Sequence, residues 1–250
     1  LKFCNQRNNS KTEGRLMYWD AETIVAFNDL VFPNHVDEED FRDFLDPEFY
    51  DNLLVYGPPG TGKSVLCSAI AAARTDSKTP SDLRQNIVYF DCKDKEQNEK
   101  ISGETLFNEL NYNRCFLDHG SIYFFDEIDE LTPNQDKQLT AFINEANKQS
   151  RVMILATTNV DVRLKTKCPS PALVSRMSYK YFINEQRAED FADLVRKKFA
   201  EAGFDRSVDE VRDLLVANFG PERVSFRDVR PLVNKLIRRM KQSPKLRIVK

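Results

Sequence analysis

The chain has 250 residues, 41% apolar and 30% charged, with a formal net charge of −2. That is the balance of an ordinary globular protein, long enough for one α/β core plus a small satellite. No run approaches the ~18 consecutive apolar residues of a membrane span, so no membrane partner is expected.

The chain opens on leucine, as an excised or processed piece would, and residues 1–14 are polar with no apolar stretch of the kind a secretory signal needs. Residues 1–26 read as an N-terminal arm. The first buried strand is Asn52-Leu-Leu-Val-Tyr56, a short apolar run. A glycine-rich stretch follows, holding three of the eight glycines in the chain between Gly57 and Gly62, and then the alanine-rich helical segment Ser64–Arg74. Further strands are expected at Ile87–Cys92, Ser121–Phe125, Val152–Thr157 and Tyr179–Ile183, with helices at Glu104–Asp118 and Asn134–Lys148. Alternation of this kind predicts a parallel sheet of about five strands with right-handed crossovers, flanked by helices. Beyond Asn184 the pattern turns wholly helical, over Glu185–Ala202, Ser207–Asn218 and Ser225–Lys241. The expected organisation is therefore an arm (1–26), an α/β nucleotide-binding domain (27–184) and a small three-helix lid (185–250).

Five cysteines (Cys4, Cys67, Cys92, Cys115, Cys168), odd in number and without a CxxC pair, argue against a disulfide framework or a zinc site. They fit a reducing interior, cytoplasmic or, in a eukaryote, nuclear. Two histidines, His35 and His119, leave little basis for a histidine-based metal or triad centre. Charge is unevenly spread: Ser225–Lys250 carries nine Lys/Arg against the single acid Asp228, a net +8 against −10 for the remainder. A basic tail on an acidic body suits a contact with nucleic acid or an acidic partner, or is simply a solvated helix face.

Gly57-Pro58-Pro59-Gly60-Thr61-Gly62-Lys63-Ser64 satisfies GxxxxGK[ST] in full. Its glycines let backbone N–H groups approach phosphate oxygens, and the helix starting near Lys63, Ser64 and Val65 adds partial positive charge. Lys63 is expected to reach the β and γ phosphates of ATP and Ser64 to hold Mg²⁺. In Ile122-Tyr-Phe-Phe-Asp-Glu-Ile-Asp129 a buried strand ends on paired carboxylates. Asp126 is placed to orient the magnesium through water, and Glu127 to polarise the attacking water as general base. Asp129 and Glu130 read as solvated or capping. Ser225 and Asp228 cap the last helix, which puts Arg227 in its first turn.

GPPGTGKS, FFDEID and Ala156-Thr-Thr-Asn159 together resemble the Walker A, Walker B and sensor 1 segments of the AAA+ ATPases, over about Phe27 to Met240. The resemblance implies an ATP-hydrolysing subunit of a homo- or hetero-oligomer. Asn159 would then help position the attacking water, and Arg227 would be the sensor 2 arginine above the nucleotide, with Arg230 as the alternative. Pro171-Ala-Leu-Val-Ser-Arg176 is similar to a segment of clamp-loader subunits, making Arg176 the arginine finger supplied to the neighbouring subunit, with Arg163 a competitor. Met177 stands where those subunits usually have cysteine. Phe27–Asn34 resembles the stretch flanking the adenine, with backbone near Val31 and Phe32 reading the base, or else it is an arm that only packs.

Protein unfoldases of this superfamily place an aromatic residue in a loop after the second strand. Lys93–Gly103 has none. Together with PALVSR and the basic tail, this points to a DNA-associated ATPase, a clamp loader or a helicase- or transposition-type loader. A protein remodeller without nucleic acid, or a slowly hydrolysing regulatory scaffold, is the alternative.

Overall fold

Leu53–Tyr56 carries four apolar side chains in succession, and all four are buried. A strand hides both faces only inside a sheet covered on either side, which favours a parallel, helix-flanked arrangement. The computed structural model, which describes residues 25–30, 32, 38–113, 120–164 and 168–242, has that architecture. Cys4, Val31, His35, Cys115, His119, most of the N-terminal arm and the tail beyond residue 242 lie outside the described residues.

In chain order the elements are α1 (Glu39–Arg42), β1 (Leu53–Tyr56), α2 (Lys63–Thr75), α3 (Pro80–Asn86), β2 (Val88–Asp91), α4 (Lys95–Glu99), α5 (Gly103–Asn113) and β3 (Ser121–Asp126). They continue with α6 (Pro133–Ala146), β4 (Val152–Thr158), α7 (Pro171–Val174), β5 (Tyr179–Phe182), β6 (Gln186–Arg187), α8 (Ala192–Glu201), α9 (Val208–Phe219), β7 (Arg223–Val224) and α10 (Phe226–Gln242).

Strands β2-β3-β4-β1-β5 form one five-stranded sheet, all pairings parallel. Side chains alternate across it. Leu53, Val55, Ile122, Phe124, Met153 and Leu155 face α2, α3 and the N-terminal aromatics Phe27, Phe41 and Phe44. Leu54, Tyr123, Phe125, Ile154 and Ala156 face Leu106 and Leu110 of α5 and Leu139, Phe142 and Ile143 of α6. Register aligns Tyr56 with Thr158 and Phe182, and Asp91 with Asp126, so the strands finish along one edge. In open parallel sheets that edge is where ligands bind.

Two helices that periodicity leaves out are fixed by local chemistry. Thr79-Pro80-Ser81-Asp82 starts α3 with a capping box and a proline in the first turn. Asp94 caps α4 by accepting from the N–H groups of Glu96 and Gln97.

The lid differs from the expectation in one respect. Residues 185–187 are not helical: Gln186–Arg187 pairs antiparallel with Arg223–Val224, and a 3₁₀ turn over Ala188–Phe191 precedes α8. The lid is therefore three helices plus a two-stranded ribbon, not helices alone. The partners are 38 residues apart in sequence for Gln186 and Val224 and 36 for Arg187 and Arg223, a pairing that helical periodicity does not register. The lid has its own core, built on Phe191, Val195, Phe199, Val211, Leu215, Val229 and Val233.

One buried arginine ties the N-terminal segment to α2. Arg74 is 7% exposed and donates to the carbonyls of Phe44 (3.3 Å), Phe49 (2.8 Å), Pro47 (3.0 Å) and Asp46, with its guanidinium 4.7 Å from the Tyr50 ring centre. Removing it leaves several carbonyls without a donor. Arg74→Ala is expected to lower the unfolding free energy by about 2–3 kcal/mol, seen as a fall in the urea midpoint at unchanged m-value. An unshifted midpoint would mean that the 44–50 turn is held by other contacts.

Candidate active site

Between Tyr56 at the end of β1 and Lys63 at the start of α2 the chain must turn and leave its amides exposed inward. Gly57, Gly60 and Gly62 do this at φ of 142°, 83° and 95°, conformations that side chains resist. A Cβ on Gly57 would lie 2.0 Å from the Ile183 carbonyl oxygen, whereas one on Gly62 would meet nothing within 4 Å, so the loop is open towards its concave side there. Thr61 Oγ1 donates to the Pro58 carbonyl at 3.0 Å and closes the turn. Pro58 and Pro59 occupy its outer bend, and Val65, half-buried, continues the first turn of α2.

Lys63 is 5% exposed, and its Nζ donates to Gly57 O (2.9 Å), Pro58 O (2.7 Å) and Asn159 Oδ1 (2.9 Å). Burial lowers its ammonium to about 8, against the pull of Asp129, Asp126 and Glu127. Ser64 Oγ donates to Asp126 Oδ1 at 2.7 Å.

Strand β3 ends on Asp126, and Glu127 turns the chain at φ 57°, ψ 52°. A non-glycine residue in that left-handed conformation costs about 1–3 kcal/mol and needs support from its surroundings. Thr157 of β4 supplies it: the Thr157 hydroxyl accepts the Glu127 N–H at 3.0 Å and donates to Asp126 Oδ1. Tyr89 OH of β2 donates to Asp126 Oδ2 at 3.3 Å. Burial pushes the Asp126 carboxyl up, and the Thr157 and Ser64 hydroxyls oppose that rise. Asn159, just past β4, accepts from Lys63, donates through Nδ2 to Glu127 Oε1 at 3.4 Å, and donates its own N–H to Asp129 Oδ1 at 2.9 Å. Lys93 Nζ stands 3.6 Å from Glu127 Oε2.

The fold thus brings Lys63, Ser64, Asp126, Glu127 and Asn159 together at the end of the sheet. Arg227 joins from the lid: a Cβ on Gly60 would lie 3.2 Å from the Arg227 Cβ, and the Phe226 N–H donates to Gly60 O at 3.1 Å. Arg176 is elsewhere. It precedes β5, whose first residue Tyr179 pairs with Leu53, the beginning of β1, and its guanidinium holds Asn144 Oδ1 (2.6 Å) and Ala172 O (2.6 Å). Arg163 is bound by Asp161 and lies 4.6 Å over the Phe182 ring. The Phe32 ring packs on Phe27 and Phe41. Thr157, Tyr89, Lys93 and Asp129 were not singled out by sequence as part of the site. Asp129, read in sequence as solvated or capping, instead accepts the Asn159 N–H beyond β4 at 2.9 Å.

These residues fit a magnesium triphosphate. A hydroxyl and a carboxylate oxygen 2.7 Å apart, Ser64 and Asp126, are hard oxygen donors of the kind Mg²⁺ takes alongside phosphate and water. Bound there, the ion would neutralise phosphate charge. The buried Lys63 ammonium is held by the Gly57 and Pro58 carbonyls of the loop and by Asn159 Oδ1. Among the described residues no group of three or more His, Cys, Asp or Glu forms an all-protein metal cage.

A glycine loop between a strand and a helix, with an acidic pair at the end of the strand one place beyond its neighbour in the sheet, defines a P-loop nucleoside triphosphatase. Residues 53–185 match the family model of the ATPase family associated with various cellular activities (AAA), and the chain belongs to that family of ATPases. An ATPase family AAA domain-containing protein of Arabidopsis thaliana is 30% identical over 164 residues, 54% of this chain and 13% of that protein. The ATPase histone chaperone YTA7 of Saccharomyces cerevisiae is 32% identical over 140 residues, 46% of this chain and 9% of that protein. The chain therefore spans only a small part of these relatives. Among solved structures, domain III of the Thermotoga maritima replication initiation protein DnaA shares the fold, with a TM-score of 0.59 at 16% identity over 90% of this chain and 91% of that one.

Two predictions follow from the geometry. Thr157→Val keeps the volume and removes the hydroxyl, so the Glu127 N–H loses its acceptor and Asp126 one donor. The expected result is a fall in kcat, or a rise in the Mg²⁺ needed for half-maximal turnover, of roughly 10–100-fold, with Thr157→Ser close to the parent. Equal Mg²⁺ titrations for Val and parent would remove Thr157 from the site. For pH, Lys63 loses its charge above about 8 in the free protein, and a bound triphosphate favours the charged form. ATP affinity should then fall by up to about tenfold per pH unit above 8, with proton uptake on binding at pH 9 measurable by calorimetry in buffers of different ionisation heat. Affinity flat from pH 7 to 9.5 would refute the assignment.

Proposed function

We propose that this chain is the ATP-hydrolysing engine of an oligomer, acting as a nucleotide-gated switch on DNA inside the cell. The hydrogen-bonded series Lys63–Asn159–Glu127 beside Ser64–Asp126 carries the hydrolytic part. The loop amides and Lys63 hold the triphosphate, and Ser64 and Asp126 hold Mg²⁺. Glu127 takes the proton of the attacking water, which Asn159 orients, and Arg227 lies over the nucleotide from the lid. Backbone near Phe32 flanks the base, and Val31, assigned the same part from sequence, lies outside the described residues.

The position of Arg176 supports assembly: tied to Asn144 and Ala172 before the start of β5, it sits at the wrong end of the sheet for its own phosphate loop. It serves a neighbouring subunit's site instead, and fingers of this kind contribute about 10³–10⁵ in rate. DNA as the load is supported by PALVSR, by the basic tail and by the stretch after β2. That stretch offers no aromatic grip, and its isoleucine, Ile101, is buried. The second reading, a protein remodeller, draws on relatives such as the histone chaperone.

Mixing separates the roles. Arg176→Ala subunits keep an intact phosphate loop, and Lys63→Ala subunits keep the finger. Each alone should be inactive, and the mixture should recover part of the turnover. No recovery at any ratio, with assembly intact by sedimentation, would overturn a finger in trans. Glu127→Gln should retain ATP and stop turnover. Turnover in the parent that rises with DNA supports the DNA load, and a rise only with protein substrates would favour the remodeller.

A further inference from the structure

In α8, in α9 and in the connection between them, basic side chains are matched with acids close by in sequence: Arg196 with Asp193, Lys198 with Glu201, Arg206 with Glu210 and Arg212 with Asp209. In α10 this stops. After Asp228, which is engaged by Ser225, the helix contains no acid, and Lys235, Arg238, Arg239 and Lys241 are exposed without an ion pair among the described residues. At 100° per residue Arg227, Arg238 and Lys241 share one stripe, with Lys235 and Arg239 flanking it. Like charges three and four apart destabilise a helix. Favourable interaction with the carboxyl end of the helix dipole offsets this only for the last turn. The stripe starts at the glycine loop, because the Phe226 N–H is bonded to Gly60 O.

We infer that the exposed face of α10 is the surface that grips the DNA phosphate backbone, and that its grip is linked to the nucleotide through Gly60. This rests on the DNA reading above and names the element and its coupling. The charge pattern favours a phosphate chain over other anionic partners. A lipid surface would need the apolar face of the helix, but Val229, Val233 and Met240 are committed to the lid core. A protein interface draws its affinity from exposed apolar or aromatic anchors. The large apolar side chains exposed among the described residues are Leu164 and Val216, neither on α10. What remains is cation-to-phosphate contact, in which affinity comes from counterion release. A nucleotide that repositions Arg227 or the loop moves the first turn of α10, and linkage requires that DNA alter nucleotide affinity by the same factor.

The test is fluorescence anisotropy of a labelled 30-nucleotide single strand and a 30-base-pair duplex, across salt, with Glu127→Gln as the reference so that ATP persists. Replacing Lys235, Arg238, Arg239 and Lys241 together by Gln spares the nucleotide site. Introduced into the parent and not the Glu127→Gln background, the fourfold change should leave basal ATPase and thermal unfolding unaltered. DNA affinity should fall at least tenfold at 0.1 M salt, and the slope of log affinity against log salt should become shallower by about 3. ATP should change the affinity of the reference several-fold. If the reference binds no DNA, the DNA reading fails with the inference. If it binds and the fourfold variant binds equally, with the same salt slope, α10 is not the contact and the DNA reading survives. Equal affinity with and without ATP overturns the linkage alone, and binding of anionic vesicles in place of DNA overturns the choice of partner.

Discussion

The site turns on a buried ammonium group. Lys63 lies almost wholly out of water, where a charge survives only if its protons are accepted, and three oxygens accept them: two loop carbonyls and Asn159 Oδ1. The same Asn159 touches Glu127. Whatever draws Lys63 away from Asn159 frees an amide that already borders the proposed base. An incoming phosphate is the natural competitor, since its charge is far greater than that of an amide oxygen. Phosphate capture and alignment of the base are thus two ends of one hydrogen-bonded series.

The sheet makes that series short. Because β3 lies between β2 and β4 in parallel register, Asp126 ends its strand opposite Asp91 and next to the residue after Ala156, which is Thr157. A single hydroxyl therefore reaches both acids, one at its carboxylate and one at its backbone N–H. The strained turn at Glu127 follows from this arrangement. The extended chain of β3 would carry the next side chain across the sheet, and the left-handed twist at Glu127 keeps it at the strand end beside Asn159.

Much of this was legible in the sequence for a physical reason. A strand buried on both faces reads as an unbroken apolar run, and a phosphate loop needs glycines at fixed spacing, so β1, β3, β4 and the Gly57–Ser64 loop are visible without a structure. The members that escaped notice depend on register. Thr157 and Tyr89 look like ordinary strand residues until strand order sets them beside Asp126, and Lys93 until its loop returns over Glu127. The ribbon of Gln186–Arg187 with Arg223–Val224 escaped for the same reason. It is long-range pairing of two residues on each side, too short to interrupt a helical pattern. Asn159 entered only through the likeness of Ala156-Thr-Thr-Asn159 to the sensor 1 segment, because by itself an asparagine in a strand-end turn is ordinary.

Gly60 joins the two bodies of the molecule. Its φ of 83° already disfavours a side chain, and a Cβ there would also press on Ser225 Oγ at 2.9 Å and Arg227 Cβ at 3.2 Å. The loop and the first turn of α10 are therefore in direct van der Waals contact, with one backbone hydrogen bond across the join. The lid packs around its own core, and α10 runs on from that join through Pro231 to Gln242, so a helix that tilted there as a unit would carry its far end with it. With a rise of 1.5 Å per residue α10 is about 25 Å long, and a rotation of about 10° at its first turn would carry the far end through roughly 4 Å. That distance is larger than the span of a hydrogen bond. Under the linkage inferred above, a small change at the phosphate loop would be enough to make or break contacts at the distal, cationic end of the helix.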